Sequence, residues 1–380
     1  MTGRQKIEAA FSPEGTPQIP VVICYEDIYI RDHWDELTSC PWWYRHAPGV
    51  ERQMLWRRDA IEKTGQDWFS VPLWYSARER ESIEVEVRDG QVWRTDRHAG
   101  TEDLLRRPRA GGWEPARQLH SVRPPRLVQT ASEVDAAIHL SAHFDPQEVV
   151  ADGRAALAAA LLREFGDRLY PLAAVASPLW LCYYLWGFEG MMEMIAGRPD
   201  LVRRACERFL VRSVRNVRWA AAAGAKAIWI EECLTDMISP QDFESLNLPF
   251  VRNLVAGVRD AGLKSIYYYC GDPAGKWDLL LSAGADALSL EEGKKGFTVD
   301  IEEVAAMVQG RCALLGNLDA MGVLERATED ELRDEIRRQL SAGRRNGARF
   351  IMSLGSPVTP GTSVRRVRLY CDLVRELGNA

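Results

Sequence analysis

Three consecutive apolar runs of this chain end in groups that could do chemistry: Glu231, Glu232 and Cys233 after one, Cys270 and Asp272 after the next, Glu291 and Glu292 after the third. Glu26 and Asp27, Asn317 and Asp319, and Ser353 and Ser356 stand in the same relation to three further runs. Ionised carboxylates gathered around one cavity repel one another and lose hydration, so a cation, a shared proton or a positive substrate must offset them. A metal is the simplest partner. Zn²⁺ accepts thiolate sulfur together with carboxylate oxygen and keeps a position open in catalytic sites. Cys270, in Ile266-Tyr-Tyr-Tyr-Cys-Gly-Asp272, is the sharpest single signal, a thiol at a strand end followed by Gly that would face the cavity. The competing roles are structural: a cysteine that closes a core strand, and carboxylates that cap the next helix.

Imidazole offers little. All six histidines lie before residue 144, so the remainder of the chain must act without one. His139 and His143 have the spacing of a zinc-binding helix face, but HLSAHFDP has no helical apolar period and ends in proline. Aromatic residues crowd the first third, and the loop Cys40-Pro-Trp-Trp-Tyr44 is expected to hang over the cavity. Trp42, Trp43 and Trp74 would then form an apolar substrate wall, with Glu26, Asp27, Asn317 and Ser356 as polar contacts.

The elements that must position these groups alternate. From about residue 168 short apolar runs are followed by helical patterns, as in βα repeats. The expected strands are Leu169–Ser177, Ala225–Glu232, Lys264–Gly271, Ala285–Glu292, Cys312–Asp319 and Ala348–Gly355, nearly continuously apolar as parallel strands buried on both faces are. Thr328-Glu-Asp-Glu331 is a capping box, Ser239-Pro240 starts another helix, and Gly262, Gly284 and Gly347 end three. Ile19–Tyr25 and Asp67–Leu73 read as two earlier strands, flanking a helix around Gln53–Thr64. Two and six predict a closed (β/α)₈ TIM barrel, with a doubly wound open sheet as the alternative. SIEVEVRDGQVWRTD alternates in period two about Asp89-Gly90, which predicts an antiparallel β-hairpin inserted after strand two. An Arg- and Pro-rich connector, RRPRAGGWEPARQLHSVRPPR, follows it as a surface loop. The whole, residues 1–380, is expected to be one domain with its insertion at about 78–145.

The charge of −6 arises from 48 basic and 54 acidic residues interleaved along the chain, without the basic stripe that a nucleic acid requires. The N-terminus lacks an apolar signal core and no segment approaches a bilayer's thickness, so a cytoplasmic location without membrane contact is expected. The eight cysteines are scattered singly, most of them expected as reduced core residues.

The run GADALSLEE, VDIEEVAAMVQGRCALLGNLDAMGVLERATEDELRDEIRRQL and GARFIMSLGSPVTPGTSVRRV, with IEECLTDMISPQDFESLNLPF upstream, resembles the uroporphyrinogen decarboxylase-like superfamily over roughly residues 165 to 375. That superfamily includes decarboxylases, zinc-dependent methyltransferases that work with corrinoid proteins and, more distantly, cobalamin-independent methionine synthase. The resemblance implies a small-molecule substrate and leaves room for a homodimer. In its decarboxylases an RQAGR segment follows the first strand, an Asp the second, and a histidine lies near the C-terminus; here Tyr25-Glu26-Asp27, Trp74-Tyr75-Ser76 and no late histidine are found, although Tyr184 falls in register with a family active-site tyrosine. In its methyltransferases His-x-Cys and a late Gly-Cys bind zinc, where this chain has Tyr268-x-Cys270 and Gly355-Ser356. The methionine synthases imply a further Glu ligand near Glu291 or Glu292. Methyl transfer or demethylation assisted by Zn²⁺, with a corrinoid on a partner protein or a thiol as the other methyl carrier, is the expected function, with Glu231, Glu232, Tyr184, Tyr268 and Asp319 as candidate catalytic groups. The alternatives are a decarboxylase, which would need a basic cavity, and a barrel that has lost catalysis and only binds.

Overall fold

A computed structural model describes residues 1–111, 128–293 and 296–379. Among the described residues ten strands form: β1 (Trp68–Ser70), β2 (Ile83–Arg88), β3 (Gln91–Asp96), β4 (Thr101–Leu105), β5 (Tyr170–Ala176), β6 (Ala227–Glu232), β7 (Lys264–Tyr269), β8 (Ala287–Leu290), β9 (Ala313–Leu315) and β10 (Phe350–Ile351). Seven make one parallel sheet in the order β1-β5-β6-β7-β8-β9-β10, with helices between successive strands. The side chains of β6 to β9 are almost all buried, as strands covered on both faces must be. Among the described residues no helix is long and apolar enough to cross a membrane.

The eighth strand of the expected closed barrel is the correction. Residues 19–25 form no ladder strand, only a bridge between Val21 and Met352 beside β10. The reason is where their N–H groups go. Pro20 has none, Val21 donates to Asp67 Oδ2 at 2.8 Å, and Ile23 donates to Gln66 Oε1 at 3.0 Å. Side chains take the places that a neighbouring backbone would fill, while Asp67 N–H donates to Val21 O at 2.8 Å. The expected second strand, 67–73, contracts to β1.

The insertion is larger than a hairpin. β2 and β3 pair antiparallel through Asp89 (φ 51°) and Gly90 (φ 75°), both left-handed as a two-residue hairpin turn requires. β4 adds a third strand, and the three form a separate sheet. The expected Arg- and Pro-rich loop lies mainly outside the described residues.

Helix starts follow the predicted caps. Thr328 and Glu331 make the reciprocal capping box of Glu329–Arg345, and Ser239 caps the turn that opens with Pro240. Register then fixes faces. Glu231 lies beside Tyr268, and Tyr268 beside Ser289, so these three point one way while Glu232, Tyr269 and Leu290 point the other.

Candidate active site

The ends of β6, β7 and β8 are neighbours, so the groups just beyond them meet. Trp229 and Tyr268, on the same face, stack with ring centroids 5.0 Å apart; Tyr25 packs edge-on against Tyr268 at 5.5 Å and Trp68 against Trp229 at 6.0 Å. Above this aromatic floor the period-two alternation carries Glu231 and Cys233 from β6 and Cys270 from β7. Tyr25 O–H donates to Glu231 Oε1 at 3.2 Å and lies 3.9 Å from Cys233 Sγ, which is itself 3.9 Å from Glu231 Oε1. Cys270 S–H donates to Glu291 Oε2 at 3.3 Å. Tyr25 reaches inward because its own backbone is left-handed (φ 53°), turning the chain into the helix Glu26–Asp32.

The electrostatics favour protonated forms. Burial pushes the Glu231 carboxyl above its ordinary range, against the opposing pull of hydrogen bonds from Tyr25 and Cys233. The adjoining Cys270 thiol, then burial, drive Cys233 upward, and burial with the surrounding acids does the same to the Tyr25 phenol. Tyr184, 47% exposed on the helix Pro178–Gly197, is raised by burial and next by Glu231, so it overlooks the same group.

Several predicted site residues stand elsewhere. Glu232 is fully buried on the opposite face, accepting from Ser177 Oγ at 2.7 Å, Asn247 Nδ2 at 2.8 Å and the Tyr267 hydroxyl at 3.3 Å; burial raises it to about 7. Glu26 accepts from Gln66 and Ser70 and lines a small cavity with Trp56 and Arg57. Asp27 is an exposed ion-pair partner of Arg45 at 3.7 Å. Trp42 and Trp43 lie half-buried in a tight turn, Trp42 edge-on to His46 and Trp43 under Arg52, and Trp74 donates to Pro48 O. Asn317 donates to Val299 O at 2.8 Å, and Asp319 accepts from the N–H groups of Met321 and Gly322 as a helix cap.

The two positions expected to differ from zinc ligands are committed to other bonds. Tyr268 O–H donates to Gly355 O at 3.1 Å, and Ser356 Oγ donates to Glu292 Oε2 at 2.7 Å. Among the described residues no three His, Cys, Asp or Glu side chains stand together as a shared ion would require. The residues in place do not fit the His-x-Cys and Cys zinc set, because Tyr268 and Ser356 stand at two of its positions and are spent on other bonds. Tyr25 is the site residue that the candidate set omitted, and Cys233, named among the strand-end groups, was given no role. Cys233 was visible as a strand-end group two residues after Glu231; Tyr25 carried no such signal, because its direction depends on a left-handed turn.

A parallel α/β sheet with acids and thiols at the C-terminal ends of adjacent strands defines the class. The uroporphyrinogen decarboxylase (URO-D) family model matches residues 122–377, and the chain belongs to that family. Uroporphyrinogen decarboxylase of Gloeobacter violaceus is 26% identical over 309 residues, 78% of this chain and 84% of the relative. That of Syntrophotalea carbinolica is 26% identical over 264 residues, covering 67% and 72%. A methyltransferase from Methanosarcina mazei, 16% identical, superposes over 99% of both chains with a TM-score of 0.65, which shows a shared fold.

Proposed function

We propose that the chain is a methyltransferase or demethylase, moving a methyl group between a small methylated compound and a thiol or a corrinoid carried by a partner protein. The observation that carries this reading is the Glu231 carboxyl, buried against Tyr25 and Cys233 with its acid form favoured. A carboxyl whose burial favours the acid form suits the protonation of a leaving group. As the methyl–heteroatom bond breaks, its electron pair stays on the oxygen, nitrogen or sulfur, and the Glu231 proton moves there. A corrinoid would supply the cobalt nucleophile that accepts the methyl group. Tyr25, Trp229 and Tyr268 offer a methylated compound an apolar, aromatic floor.

The relatives' names support decarboxylation as a second reading. Acids and thiols at the mouth suit it less, because a polycarboxylate substrate calls for cations there. The test is to offer the purified protein aryl methyl ethers, methylamines and methyl thioethers with cob(I)alamin or a thiol as acceptor, and uroporphyrinogen separately. Methylated acceptor is expected, with Glu231→Gln about 10²-fold slower or worse. Carbon dioxide release from uroporphyrinogen, or equal methyl transfer by Glu231→Gln, would overturn the proposal.

A further inference from the structure

Two thiols at the mouth stand side by side, one of them with no role in the protonation just described. β6 and β7 run parallel in register, Glu232 beside Tyr269, and the Cys270 N–H donates to Glu232 O at 3.0 Å. Cys233 and Cys270 are therefore the next pair in that register. Both follow by two the residues Glu231 and Tyr268, which share one face, so both side chains turn the same way. Neighbouring strands lie about 4.8 Å apart, inside the range of about 4.4 to 6.8 Å between Cα atoms that a disulfide spans. Immediately afterwards both chains leave through left-handed residues, Leu234 (φ 61°) and Gly271 (φ 115°). Tyr183 O–H holds Leu234 O at 3.2 Å, and a Cβ on residue 271 would lie 2.3 Å from Asp236 Cγ, so neither turn is free to swing its cysteine away. Each cysteine is partly exposed.

A second thiol pair gives the contrast. Cys182 and Cys206 lie with their sulfurs 3.6 Å apart between the helices Pro178–Gly197 and Pro199–Ala222, but both are completely buried. Proximity is shared by the two pairs, while access to a solvent-borne reagent belongs to the mouth pair alone. The mouth pair also has an acceptor for the departing proton, the Glu291 carboxylate 3.3 Å from Cys270 Sγ.

We propose that Cys233 and Cys270 form a reactive vicinal dithiol that hydroperoxides convert reversibly into a disulfide. Glu291 takes the Cys270 proton; the thiolate attacks one peroxide oxygen, the O–O bond breaks, and the other oxygen leaves as water or alcohol with a proton, giving a sulfenic acid. Cys233 sulfur then attacks the Cys270 sulfur, the S–O bond breaks, and water leaves with the Cys233 proton. A dithiol reductant reverses the change by exchange. The disulfide consumes the Cys270–Glu291 hydrogen bond, so oxidation rebuilds the mouth whatever reaction it performs, and the inference stands independently of methyl transfer.

The test uses the full chain, reduced, then treated with one equivalent of hydrogen peroxide, alkylated after denaturation and mapped by peptide mass spectrometry. A peptide linked through Cys233 and Cys270, two hydrogens lighter, is expected, with Cys182 and Cys206 still alkylated. Cys233→Ser and Cys270→Ser should each lose the link. As a second measurement, an aryl arsenoxide, which bridges two thiols with loss of water, should add once to wild type and at least tenfold more weakly to either variant. Linkage of Cys182 to Cys206 in preference, separate over-oxidation of Cys233 and Cys270, or arsenoxide binding unchanged in Cys233→Ser would each overturn the proposal.

Discussion

Glu232→Gln isolates the cost of a buried carboxylate. In the native protein Glu232 titrates at about 7, whereas its ordinary value is 4.5, because burial outweighs three hydrogen bonds. A carboxyl raised by folding contributes against stability as pH rises: below 4.5 both states hold the proton, between 4.5 and 7 the unfolded chain releases it first, and above 7 the full penalty is present. That gap is worth about 3.4 kcal/mol, of which about 2.5 kcal/mol develops between pH 5 and pH 8. Glutamine has the same shape and no ionisation, and any cost of fitting its amide among Ser177, Asn247 and Tyr267 is common to both pH values. The stability of Glu232→Gln minus that of wild type, from urea unfolding, is therefore expected to rise by about 2.5 kcal/mol from pH 5 to pH 8. A difference that does not change with pH, or that falls, would refute the assignment of a buried, neutralised acid.

Activity should report the other glutamate: if Glu231 protonates the leaving group, kcat falls as pH rises through a value above the ordinary carboxyl range, and a pH–rate profile of Glu231→Gln should lack that limb. Purified protein should hold zinc well below one equivalent by elemental mass spectrometry, unchanged in Cys270→Ala; near-stoichiometric zinc lost in the variant would reverse the reading of Tyr268 and Ser356 as hydrogen-bonding groups. Gly355→Ala would put a Cβ 2.4 Å from Glu292 N, against backbone that cannot yield, and is expected to cost about 1 to 3 kcal/mol in chemical denaturation while disturbing the Ser356–Glu292 bond. Asp319→Ala should cost about 1 kcal/mol of stability through its lost cap and leave kcat unaltered in the methyl-transfer assay.

The later strands were legible because each is a short, nearly continuously apolar run closed by a Gly or a polar residue, and β5 to β10 each fall inside the predicted ranges. The first strand was misread for a reason no apolar pattern contains: the partners of Val21 and Ile23 are side chains more than forty residues away. β4, Thr101–Leu105, has little alternation and was missed. At the site, period two separates Glu231 from Glu232 once the register is known, but the sequence alone left both as candidates. The position of Cys270 just past the end of β7 was readable from its sequence. That Asp319 is spent on a cap and Tyr268 on a carbonyl required the geometry of the loops that receive them.

The attachment of residues 19–25 gives the fold a latch. Asp67 accepts the Val21 N–H and is itself held by Lys6 at 3.8 Å and Arg375 at 3.3 Å, charges from near the beginning and the end of the chain. Where a continuous ladder opens only by breaking backbone bonds throughout, on the β1 side of this segment two of the bonds open by turning side chains, those of Asp67 and Gln66, and one backbone bond, from Asp67 N–H to Val21 O, must break. Tyr25, at the end of that latched segment, is the group that meets Glu231. Whatever loosens the latch thus lifts a phenol away from the carboxyl it bonds, leaving burial less opposed in keeping the proton on Glu231, and ties that balance to the joining of the two chain ends.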